Sequence, residues 1–372
     1  MHTILIDTEP ATGGAWQGVL AAGTLPRLSR RLRLAEVATR EVPREDAEAA
    51  WLTPAERWMR AALGLAPAQA DAVAQPATAS AATDHAAAVA ATSTATGATT
   101  PERMPWGALA ALAAGHDPGG RAWGLALPAH LELGRESLSL ADPAALQLGA
   151  DEARALLDAV QPLLGEAGWL IDVSSPASWL VAHESLAEVV TADPARAIAR
   201  NVATWMPAGT PARPWRQLLT EIQMVWQHHP VNEARLRAGR PEVNTLWLHG
   251  CGPLPPDLRN PFVMQPQAEP GATAWWRAAH GGLPRLPASR HPHPLQVLQL
   301  QATREADAMA LGAALAALDA AAAEAIDQAL RDHASAQVVL AGASRWLGFE
   351  LRKSRGWQFW RRADAHVLLG MV

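Results

Sequence analysis

The sequence predicts an α/β fold: a parallel-sheet core whose two halves lie at the ends of the chain, interrupted by a smaller α+β module. Three observations predict it. A short apolar run, Thr3-Ile4-Leu5-Ile6, opens the chain and stops at Asp7, as a buried strand does. Toward the other end, an alternating strand at 295–300, a long helix at 304–333 and an apolar run at 337–342 follow in the order of a βαβ unit. Between them, residues 123–181 alternate as strands on either side of one helix.

Residues 1–65 form the first half of the core. After the opening strand, 25–32 read as an amphipathic helix, and 55–63 as a second that presents Trp58, Met59 and Leu63. Across 66–104 the composition falls to Ala, Thr, Ser, Gln and Pro. Large side chains are too few there to offset the ordering entropy by burial, so this stretch is expected to be a flexible linker or surface excursion.

Residues 105–235 make the inserted α+β module. Strands are expected at 123–128, through Leu131 and Leu133, and at 137–140. A helix over 149–164 carries its acids early, where the macrodipole favours them, and strands at 169–173 and 178–181 follow. In the helix from Trp215, residues Leu218, Leu219, Ile222, Val225 and Trp226 share one face. Pro230 breaks that pattern, and a short helix from Asn232 ends at Gly239 and Pro241.

Residues 236–372 are the second half of the core. A buried strand at 244–248 closes on the glycine turn Gly250-Cys251-Gly252, and a proline-rich loop covers 253–294. The long helix stacks Leu311, Leu315, Leu318, Ala322, Ile326 and Leu330 on one stripe. The tail, with Arg352, Lys353, Arg355, Arg361 and Arg362, is basic and interleaved with tryptophan.

Composition excludes several classes. A net charge of -5 and a pI near 6.2 argue against a dedicated nucleic-acid binder, which would normally carry a basic face. The single cysteine forbids an internal disulfide and suits a reducing cytoplasm. With no leader pattern at the start and no uninterrupted apolar run of membrane-spanning length, a cytoplasmic protein without a membrane partner is expected.

Polar residues gather at the joints of 215–252, where rigid elements position side chains for binding. His229, Asn232, Arg235 and Asn244 are the candidate ligand-binding set. Arg235 offers a planar fork for phosphate or carboxylate, and a helix start near Asn232 adds oriented N–H groups. The competing reading makes Asn232 a helix cap and has His229 bond a carbonyl at the elbow. Asp7 ends the first strand, a usual ligand position in open α/β sheets, or caps the following turn. His291 and His293 read as solvated loop residues rather than metal ligands. Cys251 reads as a small turn residue rather than a nucleophile with His249 as its base.

These residues carry a resemblance. His229-Pro230-Val231-Asn232, then Arg235, Gly239, Pro241, Asn244, Trp247, Gly250 and Gly252, are similar to a signature of archaeal-type cofactor-independent phosphoglycerate mutases, members of the alkaline phosphatase superfamily. The similarity continues upstream through Asp151-Glu152-Ala153, the strand at Trp179 and Trp205-Met206-Pro207-Ala208-Gly209, and so covers residues 123–252. Bacterial RpfE-type regulatory proteins resemble the chain more closely still, Glu221-Ile222-Gln223-Met224 included.

The resemblance implies an alkaline-phosphatase-like parallel core and, in an active member, two Mn2+ or Mg2+ ions held by Asp and His beside a Ser or Thr nucleophile. Two such ions clamp the attacking and leaving oxygens of phosphoryl transfer. This chain departs from that pattern. Thr8 stands after Asp7 where the family has glycine, no nucleophile motif follows, and Ala341-Gly342-Ala343-Ser344 ends a core strand without an acid. Asp332-His333 precedes that strand instead of following it. The core is therefore expected to be degenerate, with no catalytic residue, metal ligand or cofactor assigned.

The expected function is a phosphoglycerate-mutase-like regulatory protein that binds a small phosphorylated or anionic ligand, or a protein partner. The alternative is an active phosphoglycerate mutase using Mn2+ or Mg2+ with relocated ligands. A nucleic-acid-binding regulator, suggested mainly by the regulatory label of the proteins it resembles and by the basic tail, has the overall negative charge against it.

Overall fold

The computed structural model describes residues 1–8, 25–33, 35–41, 50–65, 102–134, 137–207, 209–264, 283–300 and 308–353. In chain order the first elements are β1 (His2–Asp7), α1 (Pro26–Leu32), β2 (Glu36–Arg40), α2 (Pro54–Ala62) and α3 (Trp106–Ala114). Next come β3 (Ala122–Ala129), β4 (Leu131–Leu133), β5 (Leu138–Leu140), α4 (Ala150–Glu166), β6 (Leu170–Ser175) and β7 (Ser178–Ala182). Then follow α5 (Pro194–Ala197), α6 (Arg213–Gln227), α7 (Pro230–Arg237), β8 (Thr245–Pro253) and β9 (Asn260–Met264). The last are β10 (Ala288–Gln299), α8 (Ala308–Asp332), β11 (Ser335–Ala341) and β12 (Trp346–Arg352).

The architecture is α/β, with parallel and antiparallel pairing in separate places. The larger sheet has the order β2-β12-β11-β1-β10-β9. Its centre is parallel, since β1 pairs with β10 and β11 and β10 pairs with β9 in that sense, while β12 and β2 add an antiparallel edge. Every residue of β1 is buried, which is why that strand reads as a continuous apolar run. The second sheet, β6-β7-β3-β8, is antiparallel where its strands pair, and β4-β5 is a separate hairpin.

Three apolar clusters stack these parts into layers. Ile4, Ile6, Val338 and Leu340 meet α1 and α8 on one face of the larger sheet. Its other face, through Leu5 and Val339, shares a cluster with Trp58, Met59, Trp106 and Leu109 of α2 and α3 and with Leu125, Leu127 and Trp247 of the antiparallel sheet. Beyond that sheet, Trp179 and Leu248 pack on Leu156, Trp215, Ile222 and Trp226 of α4 and α6.

α8 is long and apolar enough to cross a membrane by composition alone. Here Leu311, Leu315, Leu318 and Ile326 are buried against the sheet, and its Asp319 accepts the Arg27 and Leu28 amides at the start of α1.

Several details differ from the expectations. β8, assigned to the second core half, pairs with β3 in the antiparallel sheet. It also runs through the glycines to Pro253 instead of turning at them. The expected loop at 253–294 contains β9 and the start of β10, so His291 and His293 lie on a strand. Nearly all of the expected linker (66–101), the first residues of the long helix (304–307) and the tail from 354, with Arg355, Arg361 and Arg362, fall outside the described residues.

Candidate functional site

In an open α/β sheet the ligand crevice lies at the carboxyl ends of the parallel strands. Asp7, Gln299 and Ala341 end β1, β10 and β11 at one level, as their register shows. Gln299 Nε2 donates to Asp7 Oδ2 at 3.3 Å, and the Thr8 amide and hydroxyl both donate to the Ala341 carbonyl at 2.9 Å. Asp7 is only 6% exposed.

The N-terminus of α2 faces this end. Thr53 Oγ1 accepts the Glu56 amide at 3.2 Å, and Glu56 Oε2 accepts the Thr53 amide at 2.9 Å, a reciprocal cap. The other Glu56 oxygen accepts Trp106 Nε1 at 2.8 Å, so one carboxylate ties the start of α2 to the start of α3. Burial raises the Glu56 pKa to about 7, with Asp7 adding to the rise, against the pull of its donors and of Arg196. A carboxyl that exchanges its proton near neutrality is the type of group acid–base chemistry and proton-linked binding use.

Two arginines complete the cluster. Arg196, 1% exposed, donates from Nε to the Ala50 carbonyl at 3.0 Å and from Nη1 to the Ala343 carbonyl at 3.1 Å. Its guanidinium lies 5.9 Å from the Trp205 ring centre. Arg57 holds Glu41 through Nε at 2.5 Å and donates from Nη2 to the Ser344 carbonyl at 2.7 Å. The loop after β11 is thus fastened from two sides. Only Asp7 of this group stood out in the sequence. Thr53-Pro54-Ala55-Glu56 is a readable capping pattern, but Trp106 lies fifty residues away, so nothing local announces that Glu56 is buried.

The motif residues sit elsewhere, under the antiparallel sheet, and bond to the chain itself. Asn232 Nδ2 donates to the Trp226 and Val243 carbonyls, both at 2.9 Å, and its Oδ1 accepts the Val243 amide at 2.8 Å. All three guanidinium nitrogens of Arg235 donate inward: Nε to Pro241 O at 2.8 Å, Nη1 to Glu152 Oε2 at 2.9 Å and Nη2 to Leu146 O at 2.6 Å. Asn244 exchanges two bonds with the Leu131 backbone. His229, not Asn232, is the residue before α7, and its Nδ1 accepts the Val231 amide at 3.2 Å. Arg235 has no exposed surface and Asn232 has 1%, so an anion reaches neither without local opening. His229 and Asn244 are half-buried, and burial lowers the His229 pKa.

The remaining candidates are scattered. Burial raises the Cys251 pKa to about 12 and lowers that of His249 to about 3, which describes an inert thiol beside a neutral imidazole. His293 packs edge-on to Phe262 with ring centres 5.1 Å apart, and His291 is exposed. Asp332 and His333 end α8 next to His2, at the opposite end of β1 from Asp7. Five residue steps of strand separate the two places by about 16 Å. Among the described residues, no three His, Cys, Asp or Glu side chains stand together so as to hold a metal ion.

No family model matches the chain, and no curated protein matches it. Among solved structures it is similar to a cofactor-independent phosphoglycerate mutase from Thermoplasma acidophilum, with 16% identity over 95% of this chain and 90% of that one and a TM-score of 0.35. It is also similar to the PH0037 protein from Pyrococcus horikoshii, with 11% identity over 99% and 92% of the two chains and a TM-score of 0.48. The structural similarity to a phosphoglycerate mutase is weak. At such identities and TM-scores neither likeness carries an argument about activity.

Proposed function

We propose that this chain is a phosphoglycerate-mutase-like protein on a degenerate alkaline-phosphatase-like core, without turnover, acting as a cytoplasmic regulatory protein. It binds a small phosphorylated or anionic ligand, or a protein partner. The observation that supports this reading is the separation of Asp7 from Asp332 and His333 by the length of β1. Two-metal phosphoryl transfer needs its ligands within one clamp, and these cannot converge without unfolding the strand between them. The ligand belongs at the strand ends around Asp7, Glu56 and Arg196, the usual crevice of an open α/β sheet, and since these side chains are as enclosed as Arg235 it enters only with local opening there. Glu56 would then couple occupancy to a proton.

A coupled phosphoglycerate mutase assay on the purified chain with added Mn2+, beside an active enzyme, tests the reading. No turnover at high protein concentration is expected, together with a pH-dependent thermal shift on adding 3-phosphoglycerate. Turnover comparable to the active enzyme would overturn it. That outcome would favour the second reading, a working mutase using Mn2+ or Mg2+, for which the closeness of the Asp7 and Glu56 carboxylates speaks.

A further inference from the structure

The amino-terminal edge of the larger sheet carries a second group of titratable side chains, remote from the strand ends just described. His2 is 6% exposed, and its Nε2 is buried with no hydrogen-bond partner. The ring of His333 meets it edge-on, with centroids 5.6 Å apart and planes at 69°. His333 is half-buried at the end of α8, and Asp332 beside it is exposed.

We propose that His2 and His333 bind one borderline divalent cation, Zn2+ or Ni2+, with the Asp332 carboxylate as third ligand and water completing the shell. Two imidazoles on one tetrahedral ion at about 2.0–2.1 Å have ring centres roughly 5 Å apart, close to the spacing found. An orphaned imidazole nitrogen in a dry place costs free energy that a metal bond removes. The carbonyl end of the 25-residue α8 and Asp332 favour a cation here, against the terminal ammonium and Lys353, whose charges the metal–nitrogen bonds must outweigh.

The groups around His2 are His333, Asp332, the terminal ammonium and His293. Burial and its basic neighbours lower the His2 pKa, which keeps the ring neutral and able to ligate near pH 7. His293 is not a ligand of this site. It alternates with Leu295 and Val297, which share the Leu5 side of the sheet, whereas His2 alternates with Ile4 and Ile6 on the α8 side. Lys353 Nζ donates to the Arg331 carbonyl at 3.2 Å, at the same helix end. The Asp332 carboxylate at present accepts from Gln328 Nε2 at 2.7 Å, on an exposed surface where it is free to rotate. That rotation is required, since no three ligating groups stand together in the arrangement described.

Titrating the untagged full chain with Zn2+ against a chromophoric chelator, and with Co2+ by its visible absorption, tests the site. One equivalent should bind with micromolar or tighter Kd. His333→Ala should weaken binding on the order of 10- to 100-fold, and Asp332→Asn should weaken it less. Asp332 is exposed and His333 half-buried, and neither belongs to an apolar cluster, so both changes leave the core intact. His291→Ala, at an exposed position on β10, should bind as the parent does. Absence of binding, or binding indifferent to both His333→Ala and Asp332→Asn, would overturn the proposal.

Discussion

Arg235 shows how a side chain that looks like an anion binder can instead be a brace. Its three nitrogens fasten α7 to the Pro241 turn, to Glu152 on α4 and to the Leu146 carbonyl before α4. Removing the side chain leaves two carbonyls unpaired and a cavity behind them. Arg235→Ala should therefore lower unfolding stability by about 4 kcal/mol, as loss of one partner from a buried ionic network does. Arg235→Lys should be nearly as harmful, because one ammonium cannot reach three acceptors set around a planar fork. Urea unfolding measures both, and an unchanged midpoint for Arg235→Ala would refute the bracing role. The spacing of Asn232 and Arg235 was plain in the sequence. Their partners were not, since Glu152 and Leu146 lie 83 and 89 residues away. Side chains that recognise an anion and side chains that bind backbone carbonyls are the same types, and only the fold separates them.

Elements were legible where periodicity was long and hidden where backbone chemistry masked it. α4, α6 and α8 emerged near their true positions because an apolar stripe repeats through several turns. The second half of β10 was read from its alternation at 295–300, but its first half, 288–294, was hidden by Pro292 and Pro294, since a residue without an N–H argues against a strand, and the ladder there is irregular between Ala288 and His293. Gly250 was misread as a turn. It lies within β8 at φ +64°, and a Cβ there would stand 2.7 Å from Trp106 Cβ. The glycine is demanded by the approach of α3 rather than by a chain reversal. The same approach makes Gly107 sensitive, for its Cβ would fall 2.4 Å from Gly124 Cα, backbone that cannot yield. Gly107→Ala should cost about 3 kcal/mol by forcing α3 off β3, against the small gain alanine normally brings inside a helix. A rise in thermal stability on this substitution would contradict the packing described.

At the scale of the whole molecule, two buried groups on different layers set opposing pH dependences. His249 has a folded pKa of about 3 against an ordinary 6.5. As pH falls below 6.5 the unfolded chain takes up the proton first, so stability falls by about 1.4 kcal/mol per unit until the folded value is reached. Glu56 works the other way. With a folded pKa of about 7 against 4.5, the folded chain keeps a proton that the unfolded chain has released, and stability falls by about 3 kcal/mol as pH rises from 4.5 to 7. His2, His183, His229 and His293 also have pKa values lowered chiefly by burial and reinforce His249. The parent should therefore gain stability from pH 4.5 to 6.5, but less steeply than its histidines alone dictate. Glu56→Gln removes the opposing titration. Its loss of one acceptor toward Thr53 or Trp106 shifts the profile by a constant, without altering its slope. Between pH 3 and 4.5 the two profiles should run parallel, from 4.5 to 7 the variant should rise more steeply, and above 7 they should be parallel again. Unfolding free energies by urea across that range decide it. Parallel profiles throughout would mean that Glu56 titrates as an ordinary carboxylate and that the strand-end cluster lacks the proton on which its proposed coupling to a ligand depends.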